Sequence, residues 1–444
     1  MPDNLPLVEK VIEDYWATPL PKMVDRGKKP SAISDHLVDI VGPRRSGKTY
    51  LMFLTIKKLM TEQNVPKEAI LYINLENRRL SPVSNEHLDA IMEFIVSRQL
   101  FNRYGKVHLF LDEIQRVQGW ERHLRSIYDE NKGRLQIYIS GSSSKLLAGE
   151  TATLLTGRHL TFPVFPLDFR EFLRFRGIEV QEKSADDLSE KKAARIKGNV
   201  KEYLIHGGFP EVVLREQKDE LLSQLFTDII QRDVVARAHI RHTAVLDEFS
   251  QFIASLSSGL LSFNKMSKYF ESRNIKVSVP TLTRFFALMK DAFLFFDSPL
   301  FSFNLRAQAQ NPRKVYCIDN GFARLMHKGP GEDWGNLLEN LVAIQFHRRG
   351  IPTFYWRSQD QKEVDIIVRH GKRTVPIQVC YDLSRADTQA REVGALLAAM
   401  KELKVGKGWL INIGMEGVQH HGGNRINLVS LWKFLLFGLD KGWP

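Results

Sequence analysis

Eight residues constrain this chain more than any others: Gly42-Pro-Arg-Arg-Ser-Gly47-Lys48-Thr49. They stand between a short apolar run, Val38-Asp-Ile-Val41, and a stretch of helical periodicity that continues to Met60. A strand that turns through two glycines into a helix aims backbone N–H groups and the positive end of a helix dipole at one point, which makes an anion cradle. Gly42, Pro43, Arg44, Arg45, Ser46 and Gly47 would wrap the phosphates of a nucleotide, and Lys48 would reach its β- and γ-phosphates. The Thr49 hydroxyl would ligate Mg²⁺. ATP and Mg²⁺ are therefore the expected cofactors.

What surrounds the motif supports this reading. From His36 to about Pro166, apolar runs alternate with helical patterns: Ile70–Leu75, Val107–Leu111 and Leu135–Ile139 read as strands, Leu88–Leu100 and Trp120–Glu130 as helices. That alternation predicts an α/β fold, a parallel sheet with helices on both faces. Asp112-Glu113 closes the third strand, where one carboxylate would hold Mg²⁺ through water and the next would polarise the attacking water. The fourth strand runs into Ser140-Gly-Ser-Ser-Ser144, and a hydroxyl at such a tip lies beside the γ-phosphate; Ser142 is the first candidate and Ser140 the second, with a plain helix cap as the competing role. Arg158 could complete a neighbouring subunit's site in a homo-oligomer, act in its own site, or be a surface arginine. No Asn-Lys-x-Asp-type guanine-reading motif accompanies the loop.

Charge bears on the partner. Lys plus Arg number 63 against 51 for Asp plus Glu, a net charge of +12, which suits a polyanion such as DNA and equally suits simple solubility. No apolar run reaches the roughly 18 residues of a membrane span, so no membrane partner is expected. The start of the chain has no basic segment followed by an apolar stretch, and only Cys317 and Cys380 are present. A cytoplasmic protein without a disulfide framework is expected.

Beyond Asp168 the pattern is helical to about Asp247, with the densely charged Glu179–Gly198 reading as a solvated insertion or loose hairpin. Asn264–Phe270 and Ser278–Met289 then form a candidate helix-turn-helix, Ser278 capping a second helix that has Pro280 in its first turn. That helix is apolar at Leu282, Phe285, Phe286, Leu288 and Met289, which leaves Thr281, Thr283, Arg284 and Lys290 to face outward. Two roles stay open for it, contact with DNA and a packing module between domains. His420 and His421 read as a loop rather than a metal site.

These runs resemble the archaeal and bacterial AAA-like ATPases that carry a C-terminal domain of unknown function. The matching residues are Gly42–Thr49, Tyr72–Glu76, Leu109–Gln115, Ile139–Ser143, Phe165–Phe172, Tyr203–Pro210, Leu337–Val342, Tyr355-Trp-Arg, Glu363-Val-Asp365 and Pro376–Val379. The resemblance covers nearly the whole chain. It implies an α/β P-loop NTPase core of AAA-like type, a parallel doubly wound sheet, over 36–166 after an N-terminal helical segment, 1–35. A helical lid (167–244), a winged-helix module (245–330) and a restriction-endonuclease-like α/β domain of PD-(D/E)XK type (331–444) would follow. In that last domain Glu339 on a helix and Asp365 on a strand match the acidic positions of an active nuclease. The next strand carries Gln378-Val-Cys380 in place of Glu-x-Lys, and neither residue replaces a metal-binding carboxylate and a lysine. A degenerate nuclease fold kept for binding is the expectation, with Glu363 or Lys362 as the nearby residues able to substitute.

The chain is thus expected to be a Mg²⁺-dependent ATPase that switches or remodels a DNA complex. A slow signalling or scaffold ATPase with protein partners is the main rival, and a nuclease licensed by ATP the third reading.

Overall fold

Strands whose residues are apolar on both faces belong in the middle of a covered sheet. Three runs here have that character: β1 (Leu37–Val41), β3 (Val107–Asp112) and β4 (Leu135–Gly141) are buried along their whole length. In the computed structural model they lie side by side with β2 (Ile70–Asn74) and β5 (His159–Pro163) in one parallel sheet of order β2-β3-β4-β1-β5. The structure describes residues 4–27, 36–143, 159–238, 240, 243–327, 329–371 and 373–439. It divides into two compact units, residues 1–164 with 291–293, and residues 165–290 with 294–444.

In the first unit the chain leaves β1, crosses to the edge strand β2, and returns through β3 to β4, which pairs with β1. This reversal beside β1 brings together the loops at the C-terminal ends of β1, β3 and β4, the usual ligand crevice of such sheets. Among the described residues the helices that follow the first strand are α2 (Lys48–Glu62), α3 (Asn85–Ser97), α4 (Leu100–Tyr104) and α5 (Trp120–Glu130). α2 buries Leu51, Met52, Leu54, Ile56 and Leu59 against Val38, Ile40 and Tyr138 of the sheet. The N-terminal helix α1 (Leu5–Ala17) belongs to this unit, packs against α3, and anchors through Trp16 Nε1, which donates to Ile70 O at 3.0 Å.

The second unit begins with the helix Phe169–Phe175, whose capping box pairs Asp168 and Glu171 through two 2.8 Å bonds. The charged stretch expected to be a solvated insertion is so only in part, because from Glu190 it is a helix running to His206. Its buried residues, Ile196, Val200, Tyr203 and Leu204, recur at helical spacing mostly beyond Gly198, so the apolar stripe starts where the charged run ends. Gly207, at φ +69°, and Gly208 wrap the Asp319 carboxylate: the Gly208 N–H donates to Asp319 Oδ2 at 2.7 Å, and a Cβ on Gly207 would lie 1.7 Å from Oδ1. Burial pushes the Asp319 carboxyl up to about 6 despite that bond and another from Gly321.

Helices Thr243–Ser255, Phe263–Ser272 and Val279–Asp291 come next, with β6 (Leu260–Leu261), β7 (Phe295–Ser298) and β8 (Arg313–Cys317) in an antiparallel sheet of order β6-β8-β7. The expected cap is present, the Thr281 N–H donating to Ser278 Oγ at 3.3 Å. Lys290 is not free to face a ligand, since it is ion-paired with Asp297, a carboxylate it shares with Arg313.

The chain then forms the helix Trp334–Arg348 and a mixed sheet of order β13-β14-β12-β11-β10-β9. Its strands are β9 (Thr353–Arg357), β10 (Glu363–His370), β11 (Arg373–Val379), β12 (Lys407–Asn412), β13 (Gly417–His421) and β14 (Asn424–Ser430). The helix Ala386–Glu402 covers β10, β11 and β12 with Leu396, Ala399 and Met400. His420 and His421, expected in a loop, lie on the edge strand β13, antiparallel to β14. Among the described residues no His, Cys, Asp or Glu group has the arrangement of a metal site. No described helix is long and apolar enough to cross a membrane.

Candidate active site

The loop after β1 turns tightly because its glycines allow it. A Cβ on Gly42 would lie 2.0 Å from Val164 O, so no larger residue lets the loop start so close to the end of β5. Gly47, at φ +98°, leads into α2, which starts at Lys48. Lys48 is buried and donates from Nζ to Gly42 O at 3.1 Å and Pro43 O at 3.0 Å, which folds it back along the loop. Arg26, also buried, donates to Ser46 O at 2.8 Å and braces the loop from outside. The Ser46 hydroxyl is buried without a hydrogen-bond partner among the described residues. An unpaired polar atom costs stability unless something polar arrives to meet it, as a phosphate would here.

Asp112 ends β3 and is 1% exposed. Three hydroxyls donate to its carboxylate: Thr49 Oγ1 at 2.7 Å and Tyr72 OH at 2.8 Å to Oδ2, and Ser140 Oγ to Oδ1. Burial, and then the charge of Asp112, hold the Tyr72 phenol well above its usual range, so it stays a donor. A hydroxyl and a carboxylate in contact beside a phosphate cradle are the hard oxygen ligands that Mg²⁺ takes. Thr49 and Asp112 therefore fit that ion.

Glu113 follows in the left-handed region, φ +61°, and its N–H donates to Ser140 Oγ at 2.9 Å. Gln115 Nε2 donates to the Glu113 carboxylate and lies 3.3 Å from Ser142 Oγ. Glu76 holds Arg44 at 3.5 Å and Arg116, and although burial raises its carboxyl, these arginines bring it below the ordinary value. Of the expected residues, the loop 42–49, Asp112, Glu113, Ser140 and Ser142 are thus gathered at the C-terminal edge of the sheet. Ser140 braces Asp112, and Ser142 reaches Gln115. Arg158 lies outside the described residues. Sequence reasoning missed Arg26, Tyr72 and Gln115 as parts of the site.

The C-terminal domain has a second charged cluster. Lys314, on β8 and 2% exposed, places Nζ 2.9 Å from Glu339, 2.8 Å from Glu363 and 3.1 Å from Asp365. Tyr316 OH donates to the same Glu339 oxygen at 2.9 Å, and Val379 N–H donates to Asp365 Oδ2 at 2.9 Å. Burial pushes Glu339 up to about 8, with Lys314 opposing and Asp365 assisting. Burial alone would lower the Lys314 pKa, but Glu339 and Asp365 hold it well above its ordinary value. One ammonium faces three carboxyl groups, and the deepest of them, Glu339, keeps its proton near neutral pH.

Glu339 and Asp365 thus come together as expected, while Gln378 and Cys380 do not join them. Gln378 Nε2 donates to Glu392 at 2.6 Å, and Cys380 Sγ lies 3.3 Å from Asp382 O. The lysine that does meet Glu339 and Asp365, Lys314, lies on β8, distant in sequence from β10 and β11. With that ammonium touching all three acidic side chains and Glu339 holding a proton, the cluster does not fit a divalent ion.

Comparison with known proteins agrees with the core. A family described as an AAA domain matches residues 34–173, and two domains of unknown function match the rest, DUF8612 over 197–332 and DUF4143 over 334–434. An uncharacterized protein of Methanocaldococcus jannaschii is 30% identical over 411 residues, 91% of this chain and 85% of the relative. An uncharacterized protein of Haemophilus influenzae is 29% identical over 352 residues, 79% of this chain and 84% of the relative. Among solved structures, a Walker-type ATPase of Pyrococcus abyssi aligns with a TM-score of 0.44 at 15% identity, over 68% of this chain and 96% of that one.

Proposed function

The chain belongs to the AAA-like P-loop ATPases that carry a C-terminal DUF4143 domain, and from that premise we propose that it is a Mg²⁺-dependent ATPase whose nucleotide cycle switches a DNA complex. The contact between Thr49 and Asp112 carries the first half of this reading, because it joins the phosphate-binding helix to the acidic strand end at 2.7 Å. The amides of Gly42–Thr49 take the phosphates, and Lys48 swings from the loop carbonyls to the β- and γ-phosphates. Thr49 and Asp112 hold Mg²⁺, which supplies charge neutralisation on the phosphate oxygens when bound. Glu113 accepts the proton of the water that attacks the γ-phosphorus, as the bond to the β,γ-bridging oxygen breaks and the charge leaves with ADP. Ser140 and Tyr72 keep the Asp112 carboxylate oriented.

The DNA half rests on the two helices Phe263–Ser272 and Val279–Asp291. With β7 and β8 as the wing, they support a winged-helix reading. Lys265, Lys268, Lys276 and Arg284 are exposed there and form no ion pair among the described residues. Such side chains suit phosphate contacts. The test is the Mg²⁺-ATPase rate with and without double- and single-stranded DNA, with Lys48→Ala as the blank. Stimulation that fades as salt rises supports the reading; turnover indifferent to DNA refutes the DNA half.

A second reading, a slow scaffold ATPase with a protein partner, is favoured by Phe303 and Leu305, 83% and 77% exposed between β7 and β8. Turnover indifferent to DNA together with ATP-dependent assembly would select it.

A further inference from the structure

The catalytic carboxylate of such a site must be held in one direction without losing its basicity. A lysine or arginine beside Glu113 would orient it but would also stabilise its charged form and weaken it as a base. A neutral donor orients it at much smaller cost. Gln115 is such a donor. Its amide donates to the Glu113 carboxylate, and the same nitrogen lies 3.3 Å from Ser142 Oγ at the end of β4.

The backbone leaves this glutamine little freedom. It sits in the turn Ile114–Arg116, pinned by the buried Ile114 and Val117 on either side. Glu113 is held in the left-handed region by its N–H bond to Ser140 Oγ, a conformation that costs a non-glycine residue about 1–3 kcal/mol. That backbone turn brings the Glu113 and Gln115 side chains into contact. The other end of the amide, Oε1, is shielded from solvent and has no hydrogen-bond partner among the described residues. A buried acceptor left unpaired is unfavourable by about 1–3 kcal/mol. Here it stands beside the carboxylate that handles the attacking water, where a polar ligand would relieve it.

We propose that Gln115 is a positioning residue for hydrolysis: it aims Glu113 and ties it to the Ser142 hydroxyl, so that the tip of β4 and the catalytic carboxylate move together. This rests on the ATPase reading above. Ser142 acts through Gln115, so a change at that hydroxyl reaches the Glu113 carboxylate through the Gln115 amide, while Ser140 holds the Glu113 backbone.

Steady-state kinetics and nucleotide binding on the full chain test it. Gln115→Ala should lower kcat by about ten- to hundredfold, the cost of a mispositioned base, with ATP affinity within about twofold of wild type. Ser142→Ala should lower kcat less, and Gln115→Ala with Ser142→Ala should be no slower than Gln115→Ala alone, because the two act in one chain. The isosteric Gln115→Glu sets a second carboxylate against Glu113, which should move the acid limb of the pH–kcat profile upward. A Gln115→Ala kcat within about twofold of wild type, or multiplicative losses in the double variant, overturns the inference. Where Gln115→Ala loses nucleotide binding, the pH profile of Gln115→Glu decides alone, and an unmoved acid limb overturns it. Wild-type turnover no greater than that of Lys48→Ala removes the ATPase reading and this inference with it.

Discussion

Replacing Lys314 with methionine keeps the aliphatic stem and removes the ammonium, leaving Glu339, Glu363 and Asp365 around a neutral thioether. In the native protein Nζ lies 2.8–3.1 Å from all three, so one substitution removes three contacts at once and leaves Glu363 with Arg357 at 4.0 Å. Breaking a buried pair by removing one partner costs about 3–5 kcal/mol, because the opposite charges stay behind uncompensated. For a unit of this size, at roughly 2–3 °C per kcal/mol, the melting temperature should fall by about 6–15 °C. The loss should depend on pH with a definite sign. The Glu339 carboxyl is already raised to about 8 by burial, so its contribution to stability is complete below its unfolded value and is lost as pH rises through the folded one. Without Lys314 only the Tyr316 hydrogen bond opposes the burial of Glu339, and the charge of Glu339 or Asp365 on ionising is no longer met by an ammonium. The gap between Lys314→Met and wild type should therefore widen from pH 5 to pH 9. Thermal unfolding followed by circular dichroism across that range is the assay. Glu339→Gln, which keeps an acceptor for Lys314 and Tyr316 but cannot ionise, should flatten the wild-type decline between about pH 5 and about 8. Equal melting temperatures at pH 8, or a gap that does not change with pH, would refute the assignment of Lys314 as the cation of the cluster.

Lys48→Ala should weaken ATP binding by about ten- to a hundredfold, the worth of a charged hydrogen bond to phosphate, read by titration with a fluorescent nucleotide. Glu113→Gln should bind ATP as wild type does while turnover drops by about a hundredfold or more, and equal turnover would remove Glu113 as the base. Gly42→Ala drives a methyl group to within 2.0 Å of Val164 O. It should cost about 1–3 kcal/mol in unfolding experiments and abolish nucleotide binding, and unaltered binding would show that the loop need not approach β5 so closely.

The candidate nucleotide site was largely legible as a cluster of residues because its parts are local in the chain. A strand, a glycine turn and a helix N-terminus follow one another within Val38–Thr49, and Asp112-Glu113 sits at the end of an unmistakable apolar run. Arg26 and Tyr72 escaped notice because their partners are distant in sequence, and Gln115 because its contact with Glu113 depends on the left-handed turn between them. Tyr72 meets Asp112 because β2 and β3 are neighbours in register, Asn74 beside Asp112. Ser140 and Ser142 divide the labour between bracing Asp112 and reaching Gln115, and a run of serines offers no hint of which will do what. In the charged stretch before Gly198, local composition outweighed the apolar stripe of Ile196, Val200 and Tyr203 that begins at its end.

The C-terminal cluster marks the boundary most clearly. Periodicity and motif spacing determine that Glu339 lies on a helix and that Asp365 and Gln378 lie on adjacent strands, since these are properties of consecutive residues. Which of the chain's 63 basic residues meets the acids is a different kind of fact. Lys314 reads in the chain as one lysine at the start of an apolar run, no different from a solvated one. It becomes the buried counter-ion because β8 lies against the helix Trp334–Arg348. The charge of a buried carboxylate must be met by a proton or by whatever cation the packing brings near, and packing of elements distant in the chain is settled by tertiary contact alone.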